Sequence, residues 1–362
     1  LRSQFDVVDD HGYHDHRATV TINGRSGNSH SQTSAVMTLA YMPRMMMTSR
    51  NPAKPFFMTE FNHCRPNRFR AESGPMMGAY CALQGWSGFY RFCYAHSISR
   101  VLNNSPANSC FDSVADPVMQ FSDRIIAAMF LRGDVRRAPT GFSFEVPADV
   151  LKTDAPLNFP LNFQMLGYLV RIGSHKAGTV LPPGIRAVNS RFGYAESGGL
   201  AQAWKTLIEK KQAISSTGEI RIDARNNQLV VRTPRTESLT FSRGELSAGV
   251  LSVRFGTVAA ISLDRKPLPE SGSILLLHLT DTANSGDSFH DSERKYVDRY
   301  GKLPLLVRRG KAQVTLNLKA PFRVRALSAD GDPLGSVRTQ GNTFTIATDL
   351  FPQGVMAYHI TR

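Results

Sequence analysis

Read for its alternation of apolar and polar positions, the chain changes character near Pro139. Before that point, apolar runs are spaced as strand, helix, strand. Gln4-Phe-Asp-Val-Val-Asp9 reads as a first strand, with Asp10 to Arg17 as the loop leaving it. Lys54-Pro-Phe-Phe-Met-Thr-Glu-Phe61 is an apolar run that ends on one carboxylate, Glu60, as a buried parallel strand would at its carboxyl end. A helical segment from Arg70 to Gln84 and a second apolar run from Gly88 to Ala95 complete a β-α-β spacing. Gly24 to Ser34 is polar and rich in Gly and Ser, which predicts a loop. Ser34 to Arg50 is helical in pattern but interrupted by Pro43, and its methionines (Met37, Met42, Met45, Met46, Met47) suit irregular core space or a subunit interface. A third helix has Asp116 for its N-cap, Pro117 in its first turn and Gly133 just past its end. A whole eight-stranded β/α barrel takes about 250 residues, so the three units before residue 135 amount to part of one.

Beyond Pro139 short strands and turns take over. Phe142-Ser-Phe-Glu-Val146 is followed by a proline-punctuated stretch and a helix around Leu200 to Lys210. Glu219 to Asp223 and Gln228 to Arg232 flank Arg225-Asn-Asn227 as a hairpin. Further strands are expected at Val250 to Phe255, Ala259 to Leu263, Ser273 to Thr280, Gln313 to Leu318, Phe322 to Leu327 and Thr343 to Thr348. The expected fold is α/β plus all-β: a truncated (β/α)8 barrel over 1–134 followed by antiparallel β-sandwich modules, a β-rich middle region or β-sandwich over 135–265 and a C-terminal β-sandwich over 266–362.

Composition narrows the class. With 362 residues, 41% hydrophobic and 20% charged, the chain can bury a sizeable core. No run approaches the 18 or so apolar residues of a membrane span. The net charge of +14 invites an anionic partner, but the basic residues form only scattered doublets such as Arg136-Arg137, so neither nucleic acid nor membrane is an expected partner. Cys64, Cys81, Cys93 and Cys110 lack C-x-x-C spacing and read as free thiols.

Lys54-Pro-Phe-Phe-Met-Thr-Glu-Phe-Asn-His63, followed by Pro66 to Glu72 and Ala82-Leu-Gln-Gly-Trp-Ser-Gly88, resembles the seventh-strand region of large clan A glycoside hydrolases. Those retaining enzymes are TIM barrels with a nucleophilic Glu at the tip of strand seven, which the resemblance places at Glu60. Asp9-Asp-His-Gly-Tyr13 resembles their His-x-Tyr after strand six, implying His11 and Tyr13 as sugar contacts, with Asn62, His63 and Tyr94 also lining the site. The resemblance covers residues 4 to 134 and extends weakly into the C-terminal β region, where Leu275 to Thr282 and Asn284 to Ser288 resemble a segment of the accessory domains. That segment is either a solvated turn or a contact with the barrel. The chain departs from the family in two ways. The acid/base Glu belongs to strand four, which this sequence does not contain, and Arg91, Phe92 and Tyr94 stand where relatives place a Trp. Leu1 in place of an initiating Met is expected of a processed, truncated or alternatively initiated product.

A glycosidase needs two carboxyl groups, ~5–5.5 Å apart for retention or ~6.5–9.5 Å for inversion. Asp9, Asp10, Asp15 and Glu72 are the acids expected near the same rim as Glu60; Asp10 and Asp15 are the expected substitutes, because their loop leaves a strand end. The expected activity is weak or rebuilt hydrolysis of β-linked hexosides of the β-galactoside type, with no cofactor. Three other readings stay open: a non-catalytic carbohydrate-binding or assembly protein, a Glu60 merely salt-bridged by Arg65, Arg68 or Arg70, and a metal site among Asp10, His11, His14, Asp15, His16 and His63. A homo-oligomer is expected, since a sheet cut from a barrel exposes its inner face and edges.

Overall fold

The computed structural model describes residues 4–22, 24–103, 105–152, 159–189, 200–235 and 255–362. The protein is mixed α/β and rich in strands. Its first sheet has the order Val8–His14, Phe56–His63, Gly88–Arg91, all parallel. One face of this sheet is dry: Val8, Phe56 and Met58 pack on Met42, Met46 and Met47 of the Tyr41–Ser49 helix and on Met76, Met77 and Tyr80 of the Ser73–Gln84 helix. Gly12 lets the Tyr41–Ser49 helix approach closely there: a Cβ on it would stand 3.1 Å from the side chains of Met42 and Met58 and would press them aside by a few tenths of an ångström. The methionines therefore fill core space, although Met37 is exposed.

The opposite face is open, and it is not the continuous apolar patch expected of a cut barrel. It carries Asp9, His11, Thr59 and Glu60 beside the rings of Phe57 and Tyr90. The premise for a second copy covering it is correspondingly weaker.

The middle region departs from expectation. Gly141–Val146 is the centre of a second parallel sheet, between Arg171–Lys176 and Ile185–Val188, where antiparallel strands were expected. It shares one core with the first sheet: Phe142, Phe144, Phe163 and Leu166 join Met42, Met47 and Leu83 in a single cluster, so no core boundary falls at 134. The hairpin Ile220–Asp223 with Gln228–Val231 forms as expected. Arg25–Ser29, expected as loop, is a strand: it pairs with Ala18–Ile22 on one side and with Tyr296–Arg299 on the other. Tertiary pairing overrides the weak strand propensity of its Gly and Ser.

The C-terminal unit starts before residue 266, because Thr257–Ser262 is hydrogen-bonded along its length to Ser273–Leu279. The five-stranded sheet runs Thr257–Ser262, Ser273–Leu279, Ala357–Thr361, Arg323–Leu327, Pro333–Val337. The Ser273–Leu279 strand, second in this order, is apolar over most of its length without alternation because both faces are covered. Ile274 and Leu276 meet Val314 and Phe344 of a second, three-stranded sheet, while Leu277 and Leu279 meet Val118 and Ile125 of the Pro117–Ile126 helix. The strand expected at Val250 to Phe255 lies, for residues 250–254, outside the described residues.

A buried ionic network locks the C-terminal unit to the first. Asp116 caps its helix by accepting from Val118 N at 3.1 Å, as the sequence implied. It also accepts from Arg70 Nε at 2.7 Å. Arg70, fully buried, donates to Asp281, to Thr282 Oγ1 at 2.6 Å and to the Thr282 carbonyl at 3.1 Å. Arg65 stands between Asp116 and Asp287, 3.5 Å from each. The 281–287 segment is thus no solvated turn: it grips the first unit, and Asn284 brackets Ala107 N and O at 3.0 and 2.9 Å. Arg65 and Arg70 are spoken for here, which removes them as partners of Glu60. Burial alone would raise the Asp116 carboxyl, but Arg70 and Arg65 hold it down to about 2. Its contribution to stability is complete above the ordinary carboxylate range and is lost as pH falls towards about 2. Replacing Arg70 by Met, which leaves buried carboxylates unpaired, is expected to lower stability by about 3–5 kcal/mol in guanidinium unfolding at neutral pH. A change within experimental error would show that the network does not hold the units together.

Candidate active site

The first strand runs over Val8–His14, where the sequence pattern indicated Gln4 to Asp9. Asp10, His11 and Tyr13 lie on a strand and not in a loop. Residues two apart share a face, so Asp9, His11 and Tyr13 line the open side, while Val8, Gly12 and His14 are buried on the other. In the neighbouring strand a bulge at Thr59 shifts the register, so that Asp10 opposes Met58 but His11 opposes Glu60. The bulge brings Glu60 to the open face three residues before its strand ends.

Glu60, one-third exposed, accepts a hydrogen bond from the Tyr13 hydroxyl. Burial, then that bond, push the Tyr13 hydroxyl well above its usual range, so it stays protonated and donates. His11 stands between two carboxylates: its Nδ1 is 3.8 Å from Glu60 Oε2 and its Nε2 is 3.6 Å from Asp9 Oδ2. Asp9 is positioned in turn by Thr59 Oγ1, which donates to it at 2.8 Å. The Tyr13 ring is held edge-on by Phe111 at 5.3 Å and Phe92 at 6.4 Å.

The other expected residues lie elsewhere. Asp10 alternates to the opposite side of the strand, and its Oδ1 accepts from the His11 amide at 2.9 Å. Asp15 braces the loop behind the sheet, accepting from Gln32 N at 3.0 Å and Asn67 Nδ2 at 2.7 Å, so it is not the substitute acid. Glu72 is buried at a helix start, where it accepts from Ser34 Oγ at 2.6 Å and Val36 N at 3.1 Å. Asn62 is buried too: it donates to the carbonyls of Phe92 and Phe111 at 2.8 and 2.9 Å and accepts from Arg91 Nη1 at 2.8 Å, which leaves it a brace and not a sugar contact. His63 is fully buried and touches no solvent. Tyr94 is exposed three residues past the end of the Gly88–Arg91 strand.

The histidines near Asp10 do not converge as metal ligands: His14 contacts the Thr33 carbonyl at 2.9 Å, and His16 that of Arg17 at 2.8 Å. Among the described residues, the metal-competent donors that do converge are Cys93, His96 and Asp112, which the sequence reading missed. Asp9 was legible as one of several acids but not as the one facing Glu60.

No protein family, curated protein or solved structure matches the chain in three separate comparisons.

His63 has neither ring nitrogen hydrogen-bonded, and burial, then His14 and Arg91, lower its proton affinity well below the usual imidazole value. It stays neutral in the fold and takes up a proton only on unfolding, so it costs stability as pH falls below the ordinary imidazole range. Replacing His63 by Leu should therefore raise the thermal midpoint, relative to wild type, by more at pH 5 than at pH 8. Equal shifts at the two pH values would contradict this.

Proposed function

We propose that the protein is a glycoside hydrolase-type enzyme acting on β-linked hexosides of the β-galactoside kind, with Glu60 as nucleophile. In this reading, the three parallel strands with helices on one side are the last three units of a (β/α)8 barrel, and the open face is the sugar site. The observation that carries it is the Tyr13-to-Glu60 hydrogen bond on the open face, with His11 beside it. It agrees with the resemblance of the two sequence segments that supply these residues.

The chemistry follows from the arrangement. Glu60 attacks the anomeric carbon while Tyr13 fixes which carboxylate oxygen is free to do so. The leaving oxygen needs a proton, and among the described residues the groups beside Glu60 are Tyr13 and His11 and not a second carboxyl. His11 is the group placed to donate, with Asp9 on its far side, 3.6 Å from Nε2, to orient the ring. The stacked rings of Phe57 and Tyr90, 6.5 Å apart and 15° from parallel, provide an apolar platform on the same face.

A second reading is carbohydrate binding without turnover. It is favoured by that same platform and by the absence of a carboxyl acid in hydrogen-bond contact with Glu60 among the described residues.

A panel of chromogenic β-hexosides separates the two. Hydrolysis by wild type should fall by several orders of magnitude in Glu60→Gln. Asp9→Asn and His11→Ala should cost roughly 10²–10⁴-fold, the range of a general acid, and Asp10→Asn should stay near wild type. A wild type that turns nothing over, yet binds oligosaccharide in calorimetry with Tyr90→Ala weakened, would establish the binding reading. Undiminished hydrolysis in Glu60→Gln would refute the first.

A further inference from the structure

We propose that Cys93, His96 and Asp112 form a metal site for a zinc-class divalent ion, separate from the Glu60 face. The thiol, the imidazole and the carboxylate are the three donor types that borderline-soft ions such as Zn²⁺ take, and three protein ligands leave a fourth position for water.

The geometry is already close to what an ion requires. Donors around one tetrahedral zinc, with bonds of ~2.0–2.3 Å, stand about 3.3–3.6 Å apart. Cys93 Sγ lies 3.3 Å from His96 Nδ1 and 3.4 Å from Asp112 Oδ1. The third edge, His96 Nδ1 to Asp112 Oδ1, is now a hydrogen bond, and it opens when an ion takes the place of the shared proton.

The main chain fixes this convergence. Cys93 N donates to Phe111 O at 3.2 Å and Ser113 N to Cys93 O at 3.0 Å, so the segments carrying the ligands are clamped side by side. Asn62 strengthens the clamp from behind by donating to both Phe92 O and Phe111 O. Asp112 is buried, and its outer oxygen lies 3.2 Å from Arg100 Nε, an outer-shell partner that orients the ligand. His96 lines a cavity of about 360 Å³ together with Arg17, Arg100 and Tyr300, which gives the ion its entry. An ion bound there would sit across the Phe92 and Phe111 rings from Tyr13.

The alternative is a plain His96–Asp112 ion pair beside an inert thiol. Protein stripped with a chelator and titrated with Zn²⁺ in a calorimeter decides between them. Wild type should take up one ion per chain. Cys93→Ser and His96→Asn should each weaken binding by more than about tenfold, the lower end of what even outer-shell changes cost. His96 is nearly half exposed, so its variant is the one least exposed to folding failure, and equal melting points without metal establish that it is folded. Co²⁺ should give a thiolate charge-transfer band in wild type that is absent from Cys93→Ser. No uptake by wild type, uptake unchanged in His96→Asn, or a band that survives in Cys93→Ser would overturn the site.

Discussion

The constraint on which the rest of the structure depends is the buried pairing of Arg70 with Asp116, Asp281 and Thr282. Two charged elements from the first unit and one from the C-terminal unit meet where no water can compensate them. Taking such groups from water costs several kcal/mol per ion, and only full hydrogen bonding returns it. That requirement is specific: it fixes the start of the Pro117–Ile126 helix and the 281–287 segment in one relation. Around it the apolar seam of Val118, Ile125, Leu277 and Leu279 supplies the non-directional part of the cohesion.

The parallel sheet, covered on its dry face by the Tyr41–Ser49 and Ser73–Gln84 helices, presents its other face to solvent. There the Thr59 bulge does the positioning. An unbulged strand would carry Glu60 to the opposite face from Thr59, away from His11 and Tyr13. One extra residue sets the carboxylate beside both, and Thr59, left on the same face, donates its hydroxyl to Asp9 at 2.8 Å.

Much of this was legible in the sequence where local signals are strong. The Asp116-Pro117 helix start, the 220–231 hairpin and the apolar run into Glu60 rest on capping, turn chemistry and continuous hydrophobicity, all of which act over a few residues. What escaped depends on partners distant in sequence. Arg25–Ser29 becomes a strand only because Tyr296–Arg299 lies beside it. Gly141–Val146 pairs in parallel through crossovers that no short pattern reports. In the site, the first strand was expected to end at Asp9, which put Asp10 at its exit; the strand runs on to His14, and alternation turns Asp9 towards Glu60 and Asp10 away from it. The Asp9, His11, Tyr13 alternation was the signal that could have corrected it. Cys93 and His96, three apart, hinted at soft-metal ligands, but Asp112 joins them only through the fold.

The measurement that tests the account most directly is covalent trapping on Glu60. A 2-deoxy-2-fluoro β-galactoside with a good leaving group slows breakdown of a glycosyl ester, so incubation followed by peptide mass spectrometry locates the nucleophile. The account predicts one sugar per chain, on the peptide carrying Glu60, with no label in Glu60→Gln. Label on another carboxylate, or hydrolysis of the parent glycoside without any labelled intermediate, would contradict it.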